Sequence, residues 1–227
     1  MANKLKELVE RMTSTITIGS IRQVAKVSLL EAPKYFWTIP SSSSGKYHPV
    51  DELVKGGLVV HTLKALYVFE TLAPSLSGLY ENSPFTGIIE VRGTDCIRCA
   101  ILLHDTYKNG IENCGHTIHE HPLVAANELR KRFKEVPVNT ETIAKLIESH
   151  MGKWTTSTYS QVVLPKPEEH QPAYTATLAR IVATCDFLAA QKTFLNVQAF
   201  RHFMCDEDGL NIPESFFPEW IDQVCNF

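Results

Sequence analysis

The chain has 227 residues, 44% of them hydrophobic and 21% charged. These values suit one domain of ordinary to large size with a sizeable core, and exclude disorder as the default. A net charge of −3 at pH 7 excludes a strongly basic nucleic-acid coat protein, though not a local basic groove.

Residues 2–12 and 20–31 read as amphipathic helices that pack on the core. No apolar leader follows Met1, and no apolar run approaches the roughly 18 residues of a membrane span. A cytoplasmic chain without membrane contact is the expectation. Pro33, Pro40 and Ser41–Ser44 mark a long loop that ends in Gly45-Lys46-Tyr47-His48-Pro49. Asp51 and Glu52 suit a helix N-terminus, and the apolar pattern continues to Ala73. Residues 74–93 contain Pro74, Gly78, Pro84, Gly87 and Gly93, and read as loop with a short strand over 88–91, the place for a β-hairpin. Thr94-Asp95 opens a helix that reaches His104-Asp105, and 106–118 is loop. Helices follow near 120–134 and 140–150, the second opened by Asn139-Thr140. Residues 152–172 are irregular, 173–192 helical and 196–204 a shorter helix. The predicted architecture is all-α: a single helical bundle with long loops. Its leading helices span 1–44, its core 45–192 and its C-terminal extension 193–227.

Six cysteines in a chain of this length without a signal read as free thiols. Cys96 and Cys99 form a C-x-x-C, but no second C-x-x-C follows and no βαβ pattern surrounds the pair. Two small buried residues on a helix is the preferred reading.

Nine histidines are a different matter, because His is the commonest metal ligand and the usual proton shuttle near neutral pH. Four segments share a spacing of i, i+3, i+4, i+7: Val54, Gly57, Leu58, His61; Ile97, Ala100, Ile101, His104; Ile143, Leu146, Ile147, His150; Ala179, Val182, Ala183, Asp186. This is the buried stripe of an amphipathic helix, and each stripe carries His or Asp on its core-facing side. A carboxylate placed there is costly unless neutralised. Three imidazoles and a carboxylate converging at stripe ends suit a divalent cation. Asp105 can add an oxygen and His121 a nitrogen. Mixed imidazole and carboxylate donors suit Mn, Fe, Zn, Ni or Co, and carboxylate with water suits Mg. The absence of cysteine from the set disfavours a thiolate zinc site.

The order His61, His104-Asp105, Asp186 resembles the signature of the HD-domain metal-dependent phosphohydrolase superfamily. Gly56-Gly57-Leu58-Val59-Val60-His61-Thr62 is similar to its first motif, Ala100 to Lys108 to its A-x-L-L-H-D-x-G-K, and Arg180 to Asp186 to its last. The resemblance covers roughly 45–192. It implies that His61, His104, Asp105 and Asp186 hold one metal. His121 and His150 resemble the extra histidines of the binuclear subgroup and would hold a second, with Asp105 bridging. The leading His48 loop is similar to HD domains of bacterial 3′–5′ exoribonucleases and relaxase-associated proteins. Three departures from the family pattern stand out, and the first two narrow the choice. His150-Met151 replaces the double His of cyclic-dinucleotide phosphodiesterases. Lys108 stands where small 5′-nucleotidases carry Glu. Tyr107 replaces the usual Gly.

The expected activity is hydrolysis of a phosphoester of a nucleotide or short nucleotide-like substrate, with one or two divalent ions and Asp105 and Lys108 as catalytic residues. Lys46, His48, Lys108, His119 and Lys153 are the candidate substrate contacts. Ser41–Ser44 with Gly45-Lys46 serve equally as a phosphate-side loop or a plain linker. Trp154 reads as a packing residue before a base-facing one. A 3′–5′ exonuclease on single-stranded RNA or DNA is the alternative; it needs a basic track, for which Arg130, Lys131, Arg132 and Lys134 offer a modest cluster. A non-catalytic nucleotide or metal sensor is the reading from another class. Homo-oligomers remain compatible with the sequence. His116, His170 and His202 carry no assignment.

Overall fold

Helix α3 (Gly57–Ser77) and helix α4 (Ile88–Leu103) form the centre of the bundle in the computed structural model. The structure describes residues 2–42, 44–77, 88–135, 139–169, 171–193 and 195–220. Residues 58–66 of α3 are buried without a break, as are Cys96, Ile97 and residues 99–104 of α4 and its end. A helix apolar on all sides belongs inside a core, and neighbours cover both of these. The remaining helices are α1 (Ala2–Met12), α2 (Gly19–Leu30), α5 (His121–Arg132), α6 (Thr140–Glu148), α7 (Ala173–Ala189) and α8 (Val197–Cys205). Helix α7 packs on α3, α4 and α6; α6 on α4 and α5; α2 on α4; α1 on α2; and α8 on α3. Phe36, Phe69, Phe200, Met12 and Trp220 are fully buried among them. Each side chain of this size stabilises the bundle by about 1.5–3 kcal/mol. The architecture is all-α, and no strand occurs among the described residues.

The strand expected over 88–91 is instead the first turn of α4. Gly93 read as a loop residue, yet it lies inside the helix for a packing reason. A Cβ there would sit 2.4 Å from the Tyr174 hydroxyl oxygen, so the missing side chain lets α4 approach α7. Asp95, read as a helix start, also lies within α4. Its buried carboxylate accepts the backbone N–H groups of Thr17 (2.9 Å) and Ile18 (2.6 Å), at the start of α2. Those N–H groups would otherwise be orphaned there. Arg98 balances Asp95 at 3.1 Å and reaches Glu70 of α3 at 2.7 Å, so one charged strut joins three helices. Helix α3 continues through Pro74, beyond the expected stop at Ala73, and 78–87 lie outside the described residues. Cys96, Cys99 and Cys185 are free and buried, and burial pushes the Cys96 and Cys185 thiols up to about 12, as inert packing residues require. Among the described residues no helix is long and apolar enough to cross a membrane.

Candidate metal centre

Three helix-end imidazoles are turned inward by local bonds. His104 directly follows α4, and His150 lies two residues past α6. Helix C-termini leave carbonyls without intrahelical partners. The Nδ1 of His104 meets the Ile101 carbonyl at 2.6 Å, and that of His150 meets Ile147 at 2.8 Å. His121, at the start of α5, repeats the same three-residue reach to Ile118 at 2.6 Å. An Nδ1–H donated to a carbonyl fixes the tautomer and leaves Nε2 as a lone-pair donor facing inward. His61 lies within α3 and turns its Nδ1 toward the Glu52 carboxylate at 3.2 Å.

The inward nitrogens meet two aspartates. Asp186 Oδ1 lies 2.9 Å from His61 Nε2 and 3.6 Å from His104 Nε2. Asp105 divides its oxygens: Oδ2 lies 3.5 Å from His104 Nε2, while Oδ1 lies 3.0 Å from His121 Nε2 and 3.7 Å from His150 Nε2. The two Nε2 atoms of His121 and His150 are 3.2 Å apart. All six residues proposed as ligands from the sequence therefore come together. His61, His104 and Asp186 form one cluster of metal-ligand geometry, and His104, Asp105 and His150 another. Five of the six are almost fully buried, whereas the Asp186 side chain is 24% exposed and marks the open side.

Glu52 is the participant that the sequence reading missed. It lies on a 3-10 turn (Val50–Glu52) before α3 and is fully buried. Its Oε2 meets His48 Nδ1 at 2.8 Å and His61 Nδ1, while Oε1 lies 3.0 Å from Lys64 Nζ. The Gly56-Gly57 pair makes this possible. Gly56 adopts a positive φ of 80°, and a Cβ on Gly57 would stand 1.9 Å from the Glu52 carbonyl oxygen. Ser41 also serves this turn, since both its N–H (2.9 Å) and its hydroxyl (3.1 Å) donate to the Glu52 carbonyl. A lysine three residues after His61 was the available signal. A buried ammonium demands a buried carboxylate.

The other candidates fall in distinct places. Lys108 is buried and bonds Asp105 Oδ2, so it is no solvated loop lysine. His48 is half-buried, its ring centroid 4.9 Å from that of His61, and burial lowers its pKa. His119 reaches the Thr155 carbonyl at 3.2 Å through Nε2, and so braces the segment after His150. Lys46 and Lys153 are exposed. Trp154 is 51% exposed, a correction to its reading as a packing residue. His116 and His202 are exposed, and His170 lies outside the described residues.

Charges in the cluster oppose one another. Burial penalises the charged forms of both aspartates, but their neighbours outweigh it: Lys108, His104 and His121 hold Asp105 well below the usual range, and His104 and His61 do so for Asp186. Burial also disfavours charge on His61, yet Glu52 and Asp186 lift it to about 9. Burial, then His104 and His121, depress His150 to about 3. His150 therefore contributes stability that is complete above pH 6.5 and lost as pH falls toward 3. His61 acts with the opposite sign, its contribution present below pH 6.5 and lost as pH rises through 9. Metal-free protein should lose stability on acidification below pH 6.5. In His150→Gln the slope of unfolding free energy against pH in that window should flatten by up to about 1.4 kcal/mol per pH unit. Urea unfolding at stepped pH measures this, and an unchanged slope would refute a neutral buried His150.

The residues fit a divalent ion. His104 Nε2 is fully buried with no hydrogen-bond partner among the described residues, and it points at two ionised carboxylates. A buried lone pair in that position is satisfied by a cation. Histidines and aspartates converging inside an all-helical bundle are the marks of a metal-dependent hydrolase. The chain belongs to the HD domain family, whose model matches residues 58–191 and whose members are generally metal-dependent hydrolases. No curated protein and no solved structure matches the chain.

Proposed function

We propose that the chain hydrolyses a phosphoester of a nucleotide or short nucleotide-like substrate. The two oxygens of Asp105 carry the reading, because one faces His104 and the other faces His121 and His150. His61, His104, Asp105 and Asp186 would hold one ion, and His121 and His150 a second, with Asp105 shared. A bound divalent cation supplies Lewis acidity and a water made more acidic than bulk water. Asp105 and the buried imidazoles fix the position of that charge and keep bulk water from the inner face. Asp186, on the open side, leaves room for a phosphate to approach. Lys108, already against Asp105, offers an ammonium for a non-bridging phosphate oxygen.

The exonuclease alternative needs a free basic track. Arg130 instead pairs with Glu141 and Glu148, Lys131 with Glu128, and Arg132 with Glu31. A compact substrate needs no such track. With Mn²⁺, purified protein should release phosphate or mononucleotide from some member of a nucleotide and oligonucleotide panel. No release from any member would sink the proposal. Metal analysis should find about two ions per chain, and about one in His121→Ala. One ion in both would remove the binuclear form. Steep salt dependence of oligonucleotide binding would turn the reading to the exonuclease.

A further inference from the structure

We infer that Tyr47 and Trp154 form a stacking site for the base of a nucleotide, flanked by the ammonium groups of Lys46 and Lys153. This rests on the phosphoester reading of the metal centre and names its substrate class more closely. Tyr47 is 58% exposed and Trp154 51%, although both are large aromatic side chains. Single exposed apolar residues are ordinary. These two come from separate segments and face each other, with ring centroids 6.1 Å apart and planes at 47°. The rings form an open wedge, in which a base can lie flat on one ring while the other meets its edge.

Neighbouring residues tie the wedge to the metal cluster. Tyr47 precedes His48, which packs on His61. Trp154 ends the 3-10 turn Gly152–Trp154 that follows His150. Lys153 Nζ lies 4.1 Å from the ring centroid of Phe187, the residue after Asp186, and 5.0 Å from that of Trp154. Lys46 Nζ lies 5.0 Å from the Tyr47 centroid. Neither lysine forms an ion pair among the described residues. Two aromatic faces and two uncompensated cations suit an anion that carries a flat aromatic ring. Stacking uses the π-face common to every base, so the site should be tolerant of base identity.

The test titrates metal-free protein with the monophosphates of adenosine, guanosine, cytidine and uridine, and with ribose 5-phosphate as the base-free control, following tryptophan fluorescence. All four nucleotides should quench and ribose 5-phosphate should not. Trp154→Phe should remove the quenching, because Trp37 and Trp220 lie elsewhere. Tyr47→Ser should weaken binding about tenfold and Tyr47→Phe restore it. With metal and a nucleotide that wild type hydrolyses, Trp154→Ala should raise KM about tenfold with kcat held within about twofold. Absent quenching, or quenching unchanged by Trp154→Phe, overturns the stacking site even where hydrolysis is found. Trp154-dependent quenching without hydrolysis of any phosphoester supports the stacking site and overturns the hydrolase reading instead.

Discussion

Asp105→Asn should lower phosphoester hydrolysis by about three orders of magnitude or more, with helical circular dichroism retained. Partners that merely orient a metal ligand are worth about 10–100-fold, so a carboxylate that would be shared by both proposed ions should exceed that. Asparagine keeps the shape but not the charge. His104→Ala is the companion variant. Its Nε2 has no hydrogen-bond partner among the described residues, so truncation leaves only the Ile101 carbonyl short of a bond. The fold should therefore tolerate the change while metal content and activity fall together. Turnover and metal analysis on both variants decide the matter. Hydrolysis that survives in both would show that the cluster is not the reactive centre.

The stripes were legible because burial acts on one helix face at a time. Ile97, Ala100, Ile101 and His104 are all buried, as are Ile143, Leu146, Ile147 and His150. Their phase gave both the core face and the direction of the imidazoles. The same reasoning failed where tertiary contact decides. Gly93 is a helix residue because Tyr174 needs the space, and no local pattern announces that. Val54 was placed on the first stripe, yet α3 begins at Gly57. The chain between them turns so that Glu52 comes under His61. Asp51 and Glu52 looked like helix-start acids, but both turn inward: Asp51 meets Lys64 at 2.7 Å and accepts the Trp220 indole N–H at 2.9 Å. Periodicity speaks for residues within a helix and is silent on a carboxylate delivered by the turn before it.

Glu52 carries the second large effect. Glu52→Ala should destabilise the protein by about 3–5 kcal/mol, since removing one partner leaves buried charge uncompensated. Lys64 would keep only Asp51, and His61 would lose the carboxylate that favours its charged form. Stability alone would not distinguish a core ion pair from a support of the metal centre. Glu52→Gln makes that distinction. It keeps the volume and can still bond His48, but it no longer fixes Nδ1 of His61 in the protonated tautomer, so Nε2 is less reliably a donor to metal. Metal affinity should fall about 10–100-fold, the usual cost of losing such a partner. In the metal-free variant the His61 pKa should drop from about 9 toward 6.5, which imidazole NMR titration reads directly. Urea unfolding and metal titration supply the other two readouts. A loss below about 1 kcal/mol in Glu52→Ala, far under the cost of an orphaned buried charge, together with unchanged metal affinity in Glu52→Gln, would mean that Glu52 neither holds Lys64 nor orients His61.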